Sequence, residues 1–144
     1  MPAFTVATIT PDPATIKNSV RAALAEDIGS GDLTAALIPA TQKASARIIS
    51  RENGVLCGRP WAECVFRELD PNAVMDWQAS DGDTISADQC LFTIEGKSRA
   101  LLTGERTALN FLQLLSGTAT TCRHYAHQVA DTGVKLLDTR KTIP

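Results

Sequence analysis

A chain of 144 residues, 44% hydrophobic and 21% charged, is long enough for one compact domain with a real core and has an ordinary globular composition. Its formal net charge of -2 offers no electrostatic case for binding nucleic acid. No apolar run is long enough to span a bilayer, and the opening residues, MPAFTVATITPDP, lack the basic start and continuous apolar core of a secretory signal.

Residues 1–12 read as a loose arm. Asp12, Pro13 and Ala14 then start a helix, with the aspartate as N-cap and the proline at the first helical position, whose N–H is unpaired in any helix. Ile16, Val20, Ala23 and Leu24 form its apolar stripe, and the loop EDIGSGD at 26–32 ends it. Residues 33–38 are a short apolar piece closed by Pro39. From Ala44 the period changes to two. Ala44, Arg47, Ile48 and Ile49 read as a strand, with residues 54–57 as its return across the turn Arg51, Glu52, Asn53, Gly54. Gly58, Arg59 and Pro60 open a helix over 61–69, with Ala62, Val65, Phe66 and Leu69 inward, and Asp70, Pro71 and Asn72 end it. Residues 73–77 are a strand, Asp81, Gly82 and Asp83 a tight turn, and residues 90–94 a further strand ending at Gly96. The stretch up to Gly96 therefore predicts an antiparallel sheet with helices, an α+β domain. Cys57, Cys64, Cys90 and Cys122 form no C-x-x-C pair and lie in apolar surroundings. They read as free thiols in a reducing cytosol, acting as small core residues.

The following stretch, SRALLTGERTALNFLQLLS at 98–116, is strongly helical in pattern. Leu101, Ala108, Leu112 and Leu115 form the middle of an apolar side that Leu102, Leu109 and Phe111 widen. Gly104 on that side marks close approach of another backbone. Glu105 falls near the middle of the same side, where a carboxylate needs a cation or several donors. The opposite side carries Arg99, Thr103, Arg106, Asn110 and Gln113, donors with no acid among them. Two readings stand for this stripe: a solvated helix face, or a surface suited to a planar anion, because arginine offers a rigid fork to carboxylate or phosphate.

Gly117 allows a break before a second helix over 118–131, with Ala119, Cys122, Ala126 and Val129 on one side and Gly133 at its end. Residues 134–137 form a short apolar run, the pattern of a buried strand in a parallel sheet or barrel. At its carboxyl end, where α/β proteins place ligands, stand Thr139, Arg140 and Lys141. They fit either an anionic-substrate site or a solvated basic pair. A buried strand needs neighbours, and the sequence stops at Pro144, so the expectation is the first part of a longer protein, cut inside a second domain. His124 and His127 lie near Cys122, but their spacing alone builds no metal site, and they read as surface histidines. No phosphate-binding glycine loop and no nucleophile elbow is present. Gly82 to Ile85 with Cys90 to Gly96 resembles half of a biotin- or lipoyl-carrier motif, but no lysine sits at a hairpin tip between them.

Five blocks carry a more specific likeness: EDIG with GDLT at 26–34, GVLCG at 54–58, DGD at 81–83, LTGERTALN at 102–110, and LLDTRKTIP at 136–144. Through them the chain resembles the amino-terminal half of the quinolinate phosphoribosyltransferase family. The resemblance implies an α+β sandwich domain with a linker helix, residues 1–116, followed from residue 117 by the start of an incomplete α/β barrel. It implies a homodimer and an enzyme that transfers a phosphoribosyl group from phosphoribosyl pyrophosphate to quinolinate. Carbon dioxide and pyrophosphate leave, and nicotinate mononucleotide forms on the route to NAD. By position, Arg106 matches a family arginine that reaches quinolinate in the neighbouring subunit, and Thr139, Arg140 and Lys141 match the substrate-binding segment of the first barrel strand. The resemblance also implies magnesium, with its ligands beyond Pro144, so the 144 residues alone are expected to be inactive. A nicotinate-using relative fits less well around Arg106, and the alternative reading is an amino-terminal folding or dimerisation module without catalysis.

Overall fold

The computed structural model describes residues 11–29, 31 and 33–137. Helix α1 spans Pro13–Ile28, and Asp12 caps it as expected, its Oδ2 accepting from the Thr15 N–H at 3.3 Å. Ile16, Val20 and Leu24, spaced by four, are its buried face. Gly29, at φ 51°, closes the helix by donating to the Ala25 carbonyl. After the short α2, Leu33–Ala36, come β1, Lys43–Ile49, and β2, Gly54–Val55. Then follow α3, Arg59–Leu69, β3, Val74–Trp77, β4, Thr84–Ile85, β5, Cys90–Lys97, and α4, Ser98–Val129.

The α+β reading holds. β5 is the middle strand of an antiparallel sheet ordered β1-β5-β3. Leu91, Phe92 and Ile94 make β5 the apolar centre, with Trp77 of β3 stacked on Phe92 at 4.1 Å between ring centroids. Phe66 of α3 meets Phe92 edge-on, and α1, α3 and α4 pack together around Val20, Val65, Leu101 and Ala108.

Asp70 joins the layers. It is 2% exposed, and its carboxylate accepts from the Asn72 N–H at 3.1 Å and the Lys97 N–H at 2.9 Å. The end of α3 is thereby tied to the junction of β5 and α4. The start of α3 is held in a similar way. Gly58 has no capping side chain of its own, and Asp81, from the turn before β4, accepts from the Gly58 and Arg59 N–H groups instead.

Five expectations are corrected. Residues 54–57 do not return along β1. β1 pairs with β5 from Lys43 opposite Lys97 to Ile49 opposite Cys90, and β2 pairs with β4. The Asn53 carboxamide accepts from the Ala87 N–H, which directs the chain across to β4 rather than back along β1. Gly117 does not break the long helix. A single glycine costs a helix only about 1 kcal/mol, and hydroxyls on either side of it clip α4 to β2 and to Cys57 just beyond it. Ser116 Oγ accepts from the Cys57 N–H and donates to the Cys57 carbonyl, and Thr120 Oγ1 accepts from the Val55 N–H at 2.9 Å. Glu105 is exposed, because the buried arc of α4 runs through Ala100, Leu101, Gly104, Thr107, Ala108 and Leu112 and leaves Glu105 beside the exposed Leu102 at its rim. Residues 134–137 form no strand, and Val134, Leu136 and Leu137 are exposed, since no strand among the described residues lies beside them. Cys122 is exposed rather than a core residue, while the other three cysteines are half-buried, and all four are unpaired. His124 and His127 lie exposed on α4. No helix among the described residues is long and apolar enough to cross a membrane.

Two contrasts test this packing. A Cβ on Gly104 would lie 2.9 Å from Leu69 Cδ1 and 3.1 Å from the Phe66 ring, whereas one on Gly117 meets nothing within 4 Å. Gly104→Val should lower unfolding stability by about 1–3 kcal/mol through overpacking. Gly117→Ala should raise it by about 0.5–1 kcal/mol through helix propensity. Denaturant titration yielding the reverse order would contradict an unbroken α4.

The second contrast concerns Asp70. The Lys97 N–H, foremost, holds its carboxyl below the usual carboxylate range despite burial. A depressed acid stabilises the fold above its unfolded pKa of about 3.9, and that contribution is lost as pH falls through the folded value. Asp70→Asn should therefore melt well below the wild type at pH 7, with the gap closing in acid. A gap that stays constant from pH 7 to pH 3 would contradict this.

Candidate functional site

The donor stripe of α4 divides into two parts. Arg99 is structural: its guanidinium donates to the carbonyls of Ile38 and Ala36, closing the end of α2. Arg106, two turns further on, points away from the core with its side chain 76% exposed. Its Nη1 lies 3.0 Å from Oδ1 of Asp27, near the carboxyl end of α1. The other oxygen of that carboxylate, Oδ2, accepts from the Thr107 hydroxyl at 3.2 Å. Thr107 is itself buried, 3% exposed, so one end of the arrangement is fixed in the core.

Arg106 stands between two shallow grooves. One, of about 430 Å³, lies between α1 and α4 and is lined by Ala23, Glu26, Asp27, Asn110, Phe111 and Leu114 among others. The second, of about 390 Å³, runs along α4 past Glu105, Leu109 and Gln113. The Nε and Nη2 edge of the guanidinium makes no hydrogen bond among the described residues. An arginine with one amino group engaged and one edge open can take a carboxylate or phosphate in two parallel hydrogen bonds.

Of the residues expected to bind substrate, Arg106 is the one whose surroundings are visible. Thr139, Arg140 and Lys141 lie outside the described residues. Asp27 and Thr107 were not among the expected site residues. A signal for Asp27 was present in the sequence: the end of α1 carries Glu26 and Asp27 and no basic residue, against the helix dipole. Among the described residues no group of three or more His, Cys, Asp or Glu side chains converges so as to hold a metal ion.

Fold and site together define an α+β domain whose longest helix presents an arginine fork on an exposed face. The chain belongs to the quinolinate phosphoribosyl transferase family, whose amino-terminal-domain model matches residues 32–116. It is 41% identical over 121 residues to a Synechocystis protein named "probable nicotinate-nucleotide pyrophosphorylase (carboxylating)". It is 37% identical over 131 residues to quinolinate phosphoribosyltransferase (decarboxylating) 1 of Nicotiana glauca. Those alignments cover 84% and 90% of this chain, but 41% and 37% of the relatives. The structure of the nicotinate-nucleotide pyrophosphorylase from Francisella tularensis superposes with a TM-score of 0.88 at 41% identity, over 94% of this chain and 49% of that one. The chain thus spans about two fifths of the length of these curated relatives.

Proposed function

We propose that this chain is the amino-terminal part of an enzyme that joins the phosphoribosyl group of phosphoribosyl pyrophosphate to quinolinate. Carbon dioxide and pyrophosphate would be released, and nicotinate mononucleotide formed for NAD synthesis. The observation that carries the proposal is the open guanidinium edge of Arg106 on a helix inside the family-matched segment. Quinolinate has two carboxylates, and a fixed fork can orient it so that the ring nitrogen meets the anomeric carbon, which is largely positioning work. Arg140 and Lys141, with Thr139, would supply the cationic partner surface that stabilises the departing pyrophosphate. Magnesium, if bound, would neutralise pyrophosphate oxygens. The setting is a reducing cytosol, in keeping with four unpaired cysteines. The proposed division, an amino-terminal domain over 1–116 and the start of a barrel from 117 onward, falls inside the unbroken α4.

The same helix favours a shared site in a homodimer. From Arg106, α4 runs on to Val129 for about 35 Å at ~1.5 Å per residue. The residues between Val129 and Thr139 reach back over that distance only if almost fully extended, at about 3.3–3.6 Å each. Arg106 of one subunit and Thr139, Arg140 and Lys141 of the other would therefore complete each site.

The test uses the enzyme with its whole catalytic domain. Arg106→Ala and Arg140→Ala homodimers should each form almost no nicotinate mononucleotide. When the two are mixed and allowed to exchange subunits, activity should return to about a quarter of wild type, because one site of each mixed two-fold dimer is intact. Persistent inactivity in proven mixed dimers would refute the shared site. Absence of quinolinate-dependent product from the wild type would refute the function.

A further inference from the structure

We infer that Asp27, held by Thr107, is a positioning residue that aims the open edge of Arg106 at one carboxylate of quinolinate. The inference rests on the proposed function and extends it to a residue on a different helix. Three features of the geometry carry it.

The first is that Asp27 is placed against its own helix. It is the penultimate residue of α1, where the backbone carbonyls already make a negative end, and no basic residue stands in that last turn. A carboxylate there calls for donors from elsewhere, and Arg106 and Thr107 are those donors. The second is that the pair does little for the fold. The Arg106 side chain is 76% exposed, and ion pairs open to water contribute little to stability. The third is directional. Oδ2 accepts from the buried Thr107 hydroxyl at 3.2 Å while Oδ1 meets Arg106 Nη1 at 3.0 Å, so the carboxylate is held at both oxygens and offers Arg106 a fixed anchor. An arginine side chain otherwise sweeps through many rotamers. Engaging Nη1 leaves the Nε and Nη2 edge as a pre-set fork on a residue that lines both grooves, one with Glu26 and Phe111 and the other with Leu109 and Gln113. Asp27 touches no substrate in this arrangement and acts through Arg106.

The experiment measures steady-state kinetics of the complete enzyme for wild type, Asp27→Ala, Asp27→Asn, Arg106→Ala and the double variant Asp27→Ala with Arg106→Ala. Asp27→Ala should raise the KM for quinolinate about tenfold, as expected when one fixed orienting group is set loose, and leave the KM for phosphoribosyl pyrophosphate unchanged. Asp27→Asn keeps an acceptor for Arg106 in a side chain of the same shape. It should show a smaller rise, and it stands in if the alanine variant does not fold. In the Arg106→Ala background, Asp27→Ala should add less than about twofold, because residues acting as one unit are not additive. An unchanged quinolinate KM in both Asp27 variants would overturn the inference. So would equal shifts for both substrates, or a full additional loss on top of Arg106→Ala. If Arg106→Ala itself leaves quinolinate use intact, the reading of Arg106 falls and the inference with it. If Arg106→Ala impairs quinolinate use and the Asp27 variants do not, only the inference falls.

Discussion

At Gly104 the backbone of α4 lies against Leu69 and Phe66 of α3 with no room for a side chain. That close approach fixes the rotation of α4 about its axis. Leu101, Ala108 and Leu112 are thereby turned into the core, and Arg106 is turned out of it. Helix packing of this kind is set by side-chain volume, and neighbouring turns cannot rotate independently. Further along, Ser116 and Thr120 hold the helix to β2, and Arg123 donates to the Gly82 carbonyl and the Thr84 hydroxyl. One rigid rod thus links α3, the two sheets and the exposed arginine.

Polar side chains complete the assembly where the elements end. Asp70 receives the Asn72 and Lys97 N–H groups, Asp81 receives those at the start of α3, and Arg99 binds the carbonyls at the end of α2. In each case a backbone group left without a partner at the end of an element is met by a side chain. Asp27 differs from these, because its partners are side chains and one of them is exposed. That contrast separates the pair at Arg106 from the joints that hold the fold.

Local signals were legible wherever local physics decides the outcome. Asp12 and Pro13 mark the start of α1, the four-residue spacing of Ile16, Val20 and Leu24 its buried face, and Gly104 a close contact with α3, which the Leu69 and Phe66 side chains make rather than another backbone. What escaped was decided by distant partners. Asn53 and Gly54 look like a hairpin turn, yet the Asn53 side chain reaches Ala87 and Gly54 packs under Thr120. Gly117 looks like a break, yet the hydroxyls of Ser116 and Thr120 carry the helix through it. The donor stripe was legible as a pattern of residue types. Only the fold separates Arg99, spent on α2, from Arg106, open to a ligand. Glu105 sat one position from the buried Gly104, and the apolar side read from periodicity was centred slightly too far toward Leu102.

The most direct measurement is a structure of the complete enzyme with quinolinate bound. One quinolinate carboxylate should lie on the Nε and Nη2 edge of Arg106 while Nη1 still meets Asp27. Quinolinate held without Arg106, or an Arg106 that has left Asp27 to reach it, would contradict a fork aimed by Asp27.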